Sequence, residues 1–289
     1  MSMQQIKGTL IPIGGNEDKG FEEDEIHRLD YVEEGILAHV VDEAGGKQAK
    51  IIVIPTASSI PVEVGENYLA AFATLGCKNV TVLDIRSQAD SEKSDFINHI
   101  KTADCIMFSG GDQSKIAKHI GGSTIHTVLL ERYKNDEDFV IAGTSAGAMA
   151  MSKEMIAGGS AAKSFVKGAV KMRKGLGLIP ELVIDTHFIQ RGRFGRITEA
   201  IAKFPEATGF GLAEDTGMII KNGENCTVIG SGMVIVFDGK TLTLNNQRVL
   251  DEGTPMTMAN LTLHILANGD QYDITNHKVT VLPIEADFI

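Results

Sequence analysis

Several absences bound what this 289-residue chain can be. Cysteine is scarce: Cys77, Cys105 and Cys226 are odd in number, far apart and without metal-ligand spacing. That excludes a disulfide framework and a paired-cysteine metal site, and leaves reduced, buried thiols as the expectation. Basic charge is short, 27 Lys+Arg against 38 Asp+Glu for a net −11, so the positive stripe that grips nucleic acid is missing. Long hydrophobic runs are missing too: no stretch approaches ~18 consecutive apolar residues, and MSMQQIKGTL has no apolar core of a leader. The reading is a soluble, cytosolic protein with no membrane contact. No Pro- or Ser-rich linker, internal repeat or low-complexity tract interrupts the chain. What is present is globular, 43% hydrophobic and 22% charged, and a chain of this size buries roughly three quarters of its unfolded surface.

Short runs rich in Ile and Val (Gly8–Ile13, Lys50–Pro55, Asn79–Ile85, Cys105–Ser109, Phe139–Ala142) are bounded by Gly, Pro or charge, which predicts buried strands. Between them, Val32, Ile36, Leu37, Val40 and Val41 recur at helical spacing before Gly45-Gly46. Pro61–Leu75 reads as a second helix, with Gly76 just past its end. This alternation predicts an α/β fold: a mostly parallel sheet in three layers, with helices on both faces. After about Gly209 the texture changes to short strands (Gly211–Glu214, Gly217–Asn222, Cys226–Ile229, Val234–Asp238), with KNGEN and FDGK as hairpin signals. A helix-like stretch over Thr257–Ala267 and a strand over Val279–Leu282 complete the pattern. The whole reads as one α/β domain over 1–289, with about 226–289 a β-rich extension whose strands are antiparallel.

Gly143-Thr144-Ser145-Ala146-Gly147 follows the run FVIA and precedes AMAMSKEM. This is G-x-S-x-G in the context it requires, strand, tight turn, helix. A nucleophile on so abrupt a turn needs small neighbours, and Gly143, Ala146, Gly147 and Ala148 supply them. The N–H groups that follow, beginning with Ala146, open a helix and can hold a developing oxyanion. The plainer alternative is a Gly-rich turn packed for structural reasons alone.

A serine hydroxyl needs a base. His39, His99, His119 and His126 fall in amphipathic helical stretches, and His27, His264 and His277 in polar or loop surroundings. His187 instead follows the run Leu182–Thr186 at a strand's carboxyl end, where catalytic groups gather in open α/β sheets. It precedes Arg191, Arg193 and Arg196. Cations at a helix start oppose its dipole, so an anion should favour them there. For the acid, Glu214 and Asp215 are neighbours that spacing alone leaves open. The order Ser, His, acid differs from that of α/β-hydrolases. IGGNEDKG lacks the spacing of a phosphate-binding loop, and neither metal nor cofactor is called for.

GTSAGAMAMS, FSGGDQ (Phe108–Gln113), DTHFIQRGRFGR (Asp185–Arg196) and GLAEDT (Gly211–Thr216) resemble the cyanophycinases, as do IGGNEDKG and IPTASS (Ile54–Ser59). These belong to the serine peptidase family that also contains α-aspartyl dipeptidase. The resemblance spans most of the chain. It implies a fold like that of class I glutamine amidotransferases, a homodimer, and hydrolysis of cyanophycin, a poly-aspartate carrying arginine, to β-Asp-Arg dipeptides through an acyl-enzyme. It also implies Ser145 as nucleophile, His187 as base and Glu214 as orienting acid, with Gly111 and Ala146 forming the oxyanion hole. Asp112, Asp185, Thr186, Arg191, Arg193 and Arg196 would meet the substrate. Arginines would pair with its carboxylates, while Asp185 or Glu17 would receive guanidinium groups. Thr186 stands where the family usually has Gln, and Ala161–Leu176 is more basic than the family pattern. An aspartyl or isoaspartyl dipeptidase is the alternative that Thr186 favours and the arginine triplet disfavours. A catalytically silent binding module is another, which the intact Ser145, His187 and Glu214 oppose. A cysteine-nucleophile glutaminase fails because no cysteine occupies the elbow.

Overall fold

Period-two alternation in the early strands dictates the layering. In the computed structural model, which describes residues 6–20, 29–160, 165–283, 286 and 289, the chain runs β1 (Thr9–Ile13), α1 (Ile36–Glu43), β2 (Ile51–Ile54), α2 (Pro61–Thr74), β3 (Val80–Val82), α3 (Ser94–Lys101), β4 (Cys105–Phe108), α4 (Gln113–His119), α5 (Thr124–Asn135), β5 (Val140–Thr144) and α6 (Ala146–Ala150). Ile11, Ile13, Ile51, Val53, Cys105 and Met107 point to one face, where α1 and α2 cover them with Leu37, Val40, Tyr68 and Phe72. Leu10, Ile52, Ile54, Ile106 and Phe108 point to the other, against Ile100, Ile116, Leu129 and Met149 of the remaining helices. Both faces of these strands are buried, which is why they read as unbroken apolar runs.

The later chain gives β6 (Glu154–Gly159), β7 (Val170–Lys174), β8 (Leu182–Asp185), α7 (Phe194–Lys203), β9 (Thr208–Leu212), β10 (Thr216–Lys221), β11 (Asn225–Gly230), β12 (Val234–Asp238), β13 (Leu244–Asn245), β14 (Met258–Ala259), β15 (Thr262–Leu266), β16 (Gln271–Asp273) and β17 (Lys278–Thr280). Among the described residues the central sheet has nine strands in the order β17-β16-β11-β10-β1-β5-β4-β2-β3. The run from β1 to β3 is parallel, and β10, β11, β16 and β17 add to β1 in antiparallel fashion. KNGEN closes the β10–β11 hairpin, with Lys221 opposite Asn225. FDGK does not close one. Asp238 instead caps a short 3-10 turn by accepting the Lys240 N–H at 2.9 Å.

A second sheet, β15-β12-β9-β8, stands apart from the first. Its β8 and β9 are parallel and end in the segments of His187 and Glu214. The two catalytic candidates therefore reach Ser145 from a separate sheet. Thr257–Ala267 is not helical. Leu263 and Ile265 alternate with Thr262, His264 and Leu266, and β12 offers an unpaired edge on which residues 262–266 form β15. The basic stretch supplies β7, which pairs antiparallel with β6; its residues 161–164 lie outside the described residues, as does His27. The thiols of Cys77, Cys105 and Cys226 are buried and unpaired with one another.

Candidate active site

Ser145 occupies the turn between β5 and α6 at φ 50, ψ −106. A non-glycine residue rarely takes such a conformation, which costs about 1–3 kcal/mol and persists only where its surroundings enforce it. Packing enforces it here. A Cβ on Gly143 would stand 2.7 Å from the Gly147 carbonyl carbon, and one on Gly147 would stand 2.6 Å from the Phe108 oxygen. The elbow can fold back on the sheet only with both side chains missing.

His187 Nε2 lies 2.9 Å from Ser145 Oγ, and its Nδ1 lies 2.6 Å from Glu214 Oε1. The neighbouring Asp215 is engaged elsewhere, accepting from Ser231 Oγ at 2.6 Å and from the Asp18 N–H at 3.3 Å. His187 and Asp215 share the left-handed strain of Ser145, each at φ 47.

Three consecutive carbonyls hold these strained segments together. Ile13 O accepts the Ser145 N–H at 2.9 Å, Gly14 O the His187 N–H at 2.8 Å, and Gly15 O the Asp215 N–H at 2.9 Å. The end of β1 is thus a common anchor for Ser145, His187 and Asp215, segments far apart along the chain.

Electrostatics suit a base. Burial pushes the His187 imidazole below its ordinary value; the Glu214 hydrogen bond pulls upward, and Arg191 and Arg193 press downward. The ring is neutral near pH 7 and free to take a hydroxyl proton. Glu214 is held in turn, its N–H donating to Gln190 Oε1 at 3.2 Å.

The opposite wall is the loop Gly110-Gly111-Asp112. Gly111 sits at φ 138, and a Cβ there would stand 2.2 Å from Ala57 O. The Asp112 N–H donates to that same oxygen at 2.9 Å, and the Asp112 side chain accepts the Ser114 N–H at 2.8 Å, capping α4. IPTASS therefore braces FSGGDQ. Ala146 opens α6, so its N–H has no carbonyl one turn earlier to serve.

The arginine triplet divides in two. Arg196 grips Asp185 with Nε to Oδ2 at 3.0 Å and Nη2 to Oδ1 at 2.9 Å, while Arg193 Nη1 reaches Oδ1 at 3.1 Å and Thr186 O at 2.6 Å. Asp185 and Thr186 are fully buried, and Arg196 is 7% exposed. The anion expected for these cations is thus intramolecular for two of the three. Burial pushes the Asp185 carboxyl up, and Arg196 and Arg193 pull against it. Arg191 is exposed and makes no salt bridge among the described residues.

Glu17 is not open to a guanidinium either. It is 4% exposed, with Oε1 accepting from Tyr68 Oη at 2.6 Å and Oε2 from Thr144 Oγ1 at 2.5 Å. Lys19 Nζ stands 3.0 Å away. Burial pushes its carboxyl up, yet Lys19, Thr144 and Tyr68 together hold it low. Glu17 thereby ties Thr144, the residue before Ser145, to α2. Gly15, Gln190 and this Glu17 bridge were missing from the sequence reading. The motif IGGNEDKG was the visible signal for Gly15 and Glu17, and DTHFIQRGRFGR for Gln190.

Two other histidines serve elsewhere: His126 bonds Leu176 O through Nε2 at 2.7 Å, and His277 pairs with Asp238 at 2.8 Å. Among the described residues no group of His, Cys, Asp and Glu is disposed to hold a metal, and no helix is long and apolar enough to cross a membrane.

Residues 26–228 match peptidase family S51. The chain belongs to peptidase family S51. It is 34% identical over 275 residues to a cyanophycinase of Geminocystis herdmanii, covering 95% of this chain and 97% of that one. With a cyanophycinase of Trichormus variabilis it shares 34% over 280 residues (97% and 89% of the two chains). With one of Synechococcus elongatus it shares 31% over 273 residues (94% and 81%). A peptidase from an acI-B1 actinobacterium has a similar fold, with a TM-score of 0.65 at 20% identity over 93% of this chain and 98% of that one. This S51 chain is a mixed α/β protein with the serine elbow on its central sheet and the histidine on the second.

Proposed function

We propose that this S51 chain is a serine-type peptidase that hydrolyses cyanophycin to β-Asp-Arg dipeptides. The observation that carries the reading is the continuous line from Ser145 Oγ through His187 to Glu214, together with relatives of near-equal length named cyanophycinase. His187 takes the hydroxyl proton as Ser145 Oγ attacks the main-chain carbonyl of a β-linked aspartate, and the Gly111 and Ala146 N–H groups hold the oxyanion. His187 then gives that proton to the leaving amine. Water, activated by the same ring, cleaves the ester and restores the hydroxyl. Glu214 fixes the tautomer and stabilises the imidazolium.

Arg191 and the exposed Asp112 are assigned to the charged groups of the substrate. Asp185, Thr186, Arg193 and Arg196 are assigned to support beneath them, because their polar groups are turned to one another or buried. The chain is read as one catalytic domain, since the second sheet completes the machinery of the first. A cytosolic homodimer fits the buried thiols and the exposed β15 edge, where Ile265 is 68% exposed.

The test is incubation with purified cyanophycin and a panel of aspartyl and isoaspartyl dipeptides, with products identified by mass. Release of β-Asp-Arg by the wild type, abolished in Ser145→Ala, supports the reading. Cleavage of dipeptides alone turns it to a dipeptidase. Turnover in Ser145→Ala within tenfold of wild type overturns the nucleophile.

A further inference from the structure

The hairpin of β6 and β7 leaves a cavity that the catalytic machinery does not use. Its volume is about 610 Å³, and it opens between β7, the C-terminal end of α7 and residues 247–252. Lys167, Lys171, Lys203 and Arg248 line it against two acids, Glu199 and Glu252, a cationic excess in a chain of net −11. Glu199 is buried and committed to structure, accepting the Gly168 N–H at 2.7 Å and the Val170 N–H at 2.9 Å. Lys167 Nζ is committed too, donating to Leu250 O at 2.5 Å. Lys171, Lys203 and Arg248 make no salt bridge with any described residue. The second mark of a site is Gln247. The residue is only 6% exposed, and its side-chain amide, which bonds no other described residue, opens to the cavity it lines. An amide open to a cavity can both donate and accept, which is what a peptide group requires. Two of the cations, Lys167 and Lys171, fall within the stretch that makes Ala161–Leu176 unusually basic.

We propose that this cavity is a distal anchoring site for the carboxylates and amides of a peptide chain, holding a long substrate away from the point of cleavage. The proposal rests on the function proposed above. α7 starts beside the catalytic turn and ends at Lys203 in the cavity, and ten helical residues at ~1.5 Å each separate the two by about 15 Å. An extended chain covers that span in about five residues. Each unit of an aspartate polymer carrying arginine brings one free arginyl carboxylate to meet Lys171, Lys203 or Arg248, and a main-chain amide to meet Gln247. A chain of two units engages only the catalytic end.

The test compares kinetics on chains of two and six arginine-bearing aspartate units, using the full-length protein. Lys171→Glu combined with Arg248→Glu changes two exposed side chains and leaves folding undisturbed. It should raise KM for the six-unit chain about tenfold, two weakened charge contacts at work, and leave the two-unit chain unaffected. Gln247→Leu should raise the six-unit KM about threefold, an uncharged contact being worth less. Added salt should erase the wild type's preference for the longer chain. An unchanged six-unit KM, or equal rises for both lengths, overturns the anchoring site while hydrolysis stands. If the wild type cleaves neither chain, the functional reading fails instead, and calorimetry with a ten-residue oligo-aspartate then decides the cavity. Weaker binding to the charge-reversed variant supports the site, and equal affinity overturns it.

Discussion

The imidazole of His187 rests against the bare Cα of Gly15: a Cβ there would stand 2.4 Å from Cε1 and 2.6 Å from Nε2. Gly15→Ala also meets an unfavourable backbone, at φ 105. The ring must leave its line to Ser145, and misplacement by about 1 Å costs on the order of 10²-fold. The expected outcome is a kcat at least that much lower, with a melting temperature only a few degrees down, measured on the same preparation.

The pH profile follows from His187. Burial depresses its proton affinity below the ordinary 6.5, Glu214 opposing and the arginines adding to it. Activity needs the neutral ring, so kcat/KM should fall on the acid side with a midpoint under 6.5. Below pH 6.5 the unfolded chain takes up a proton that the folded one still refuses. Stability from this group is therefore present above that value and declines as pH falls toward the folded value. Glu214→Gln removes the upward pull and should shift the limb further down, while kcat falls by roughly 10⁴, as tautomer control is lost. A pH–rate series on both proteins checks this.

Asp185→Ala leaves two guanidinium groups without their carboxylate in a site where Arg196 is 7% exposed. Breaking such a buried pair costs about 3–5 kcal/mol. Adding Arg196→Met removes one uncompensated charge and should recover part of the loss. Urea unfolding midpoints of the single and double variants measure both effects.

Arg191→Ala, by contrast, removes an exposed side chain. KM should rise several-fold, by about 1 kcal/mol of lost carboxylate attraction, with kcat within twofold and stability unchanged. Steady-state kinetics at low and high salt test this, since the difference should shrink with screening.

Much of the fold was legible because its signals are local. Doubly buried strands announce themselves as Ile- and Val-rich runs, and Pro61 and Gly76 bracket α2. Thr257–Ala267 was misread because Leu261, Leu263, Ile265 and Leu266 suit either period, and the free edge of β12 decided between them. Ser145 stood out through the glycines around it, and His187 through its place after β8. The choice between Glu214 and Asp215 waited on geometry, since the turn at Asp215 sends the two side chains to different partners. The carbonyls of Ile13, Gly14 and Gly15 were invisible as acceptors, because a backbone oxygen carries no residue signature. The intramolecular anion of Arg193 and Arg196 was visible as Asp185, but spacing alone did not say that it was already taken.

The tripeptide Ile13-Gly14-Gly15 receives one amide from each catalytic segment. The stretches that connect those segments are therefore passengers in the geometry. A disturbance of the tripeptide itself would unseat the segments of Ser145, His187 and Glu214 in a single event.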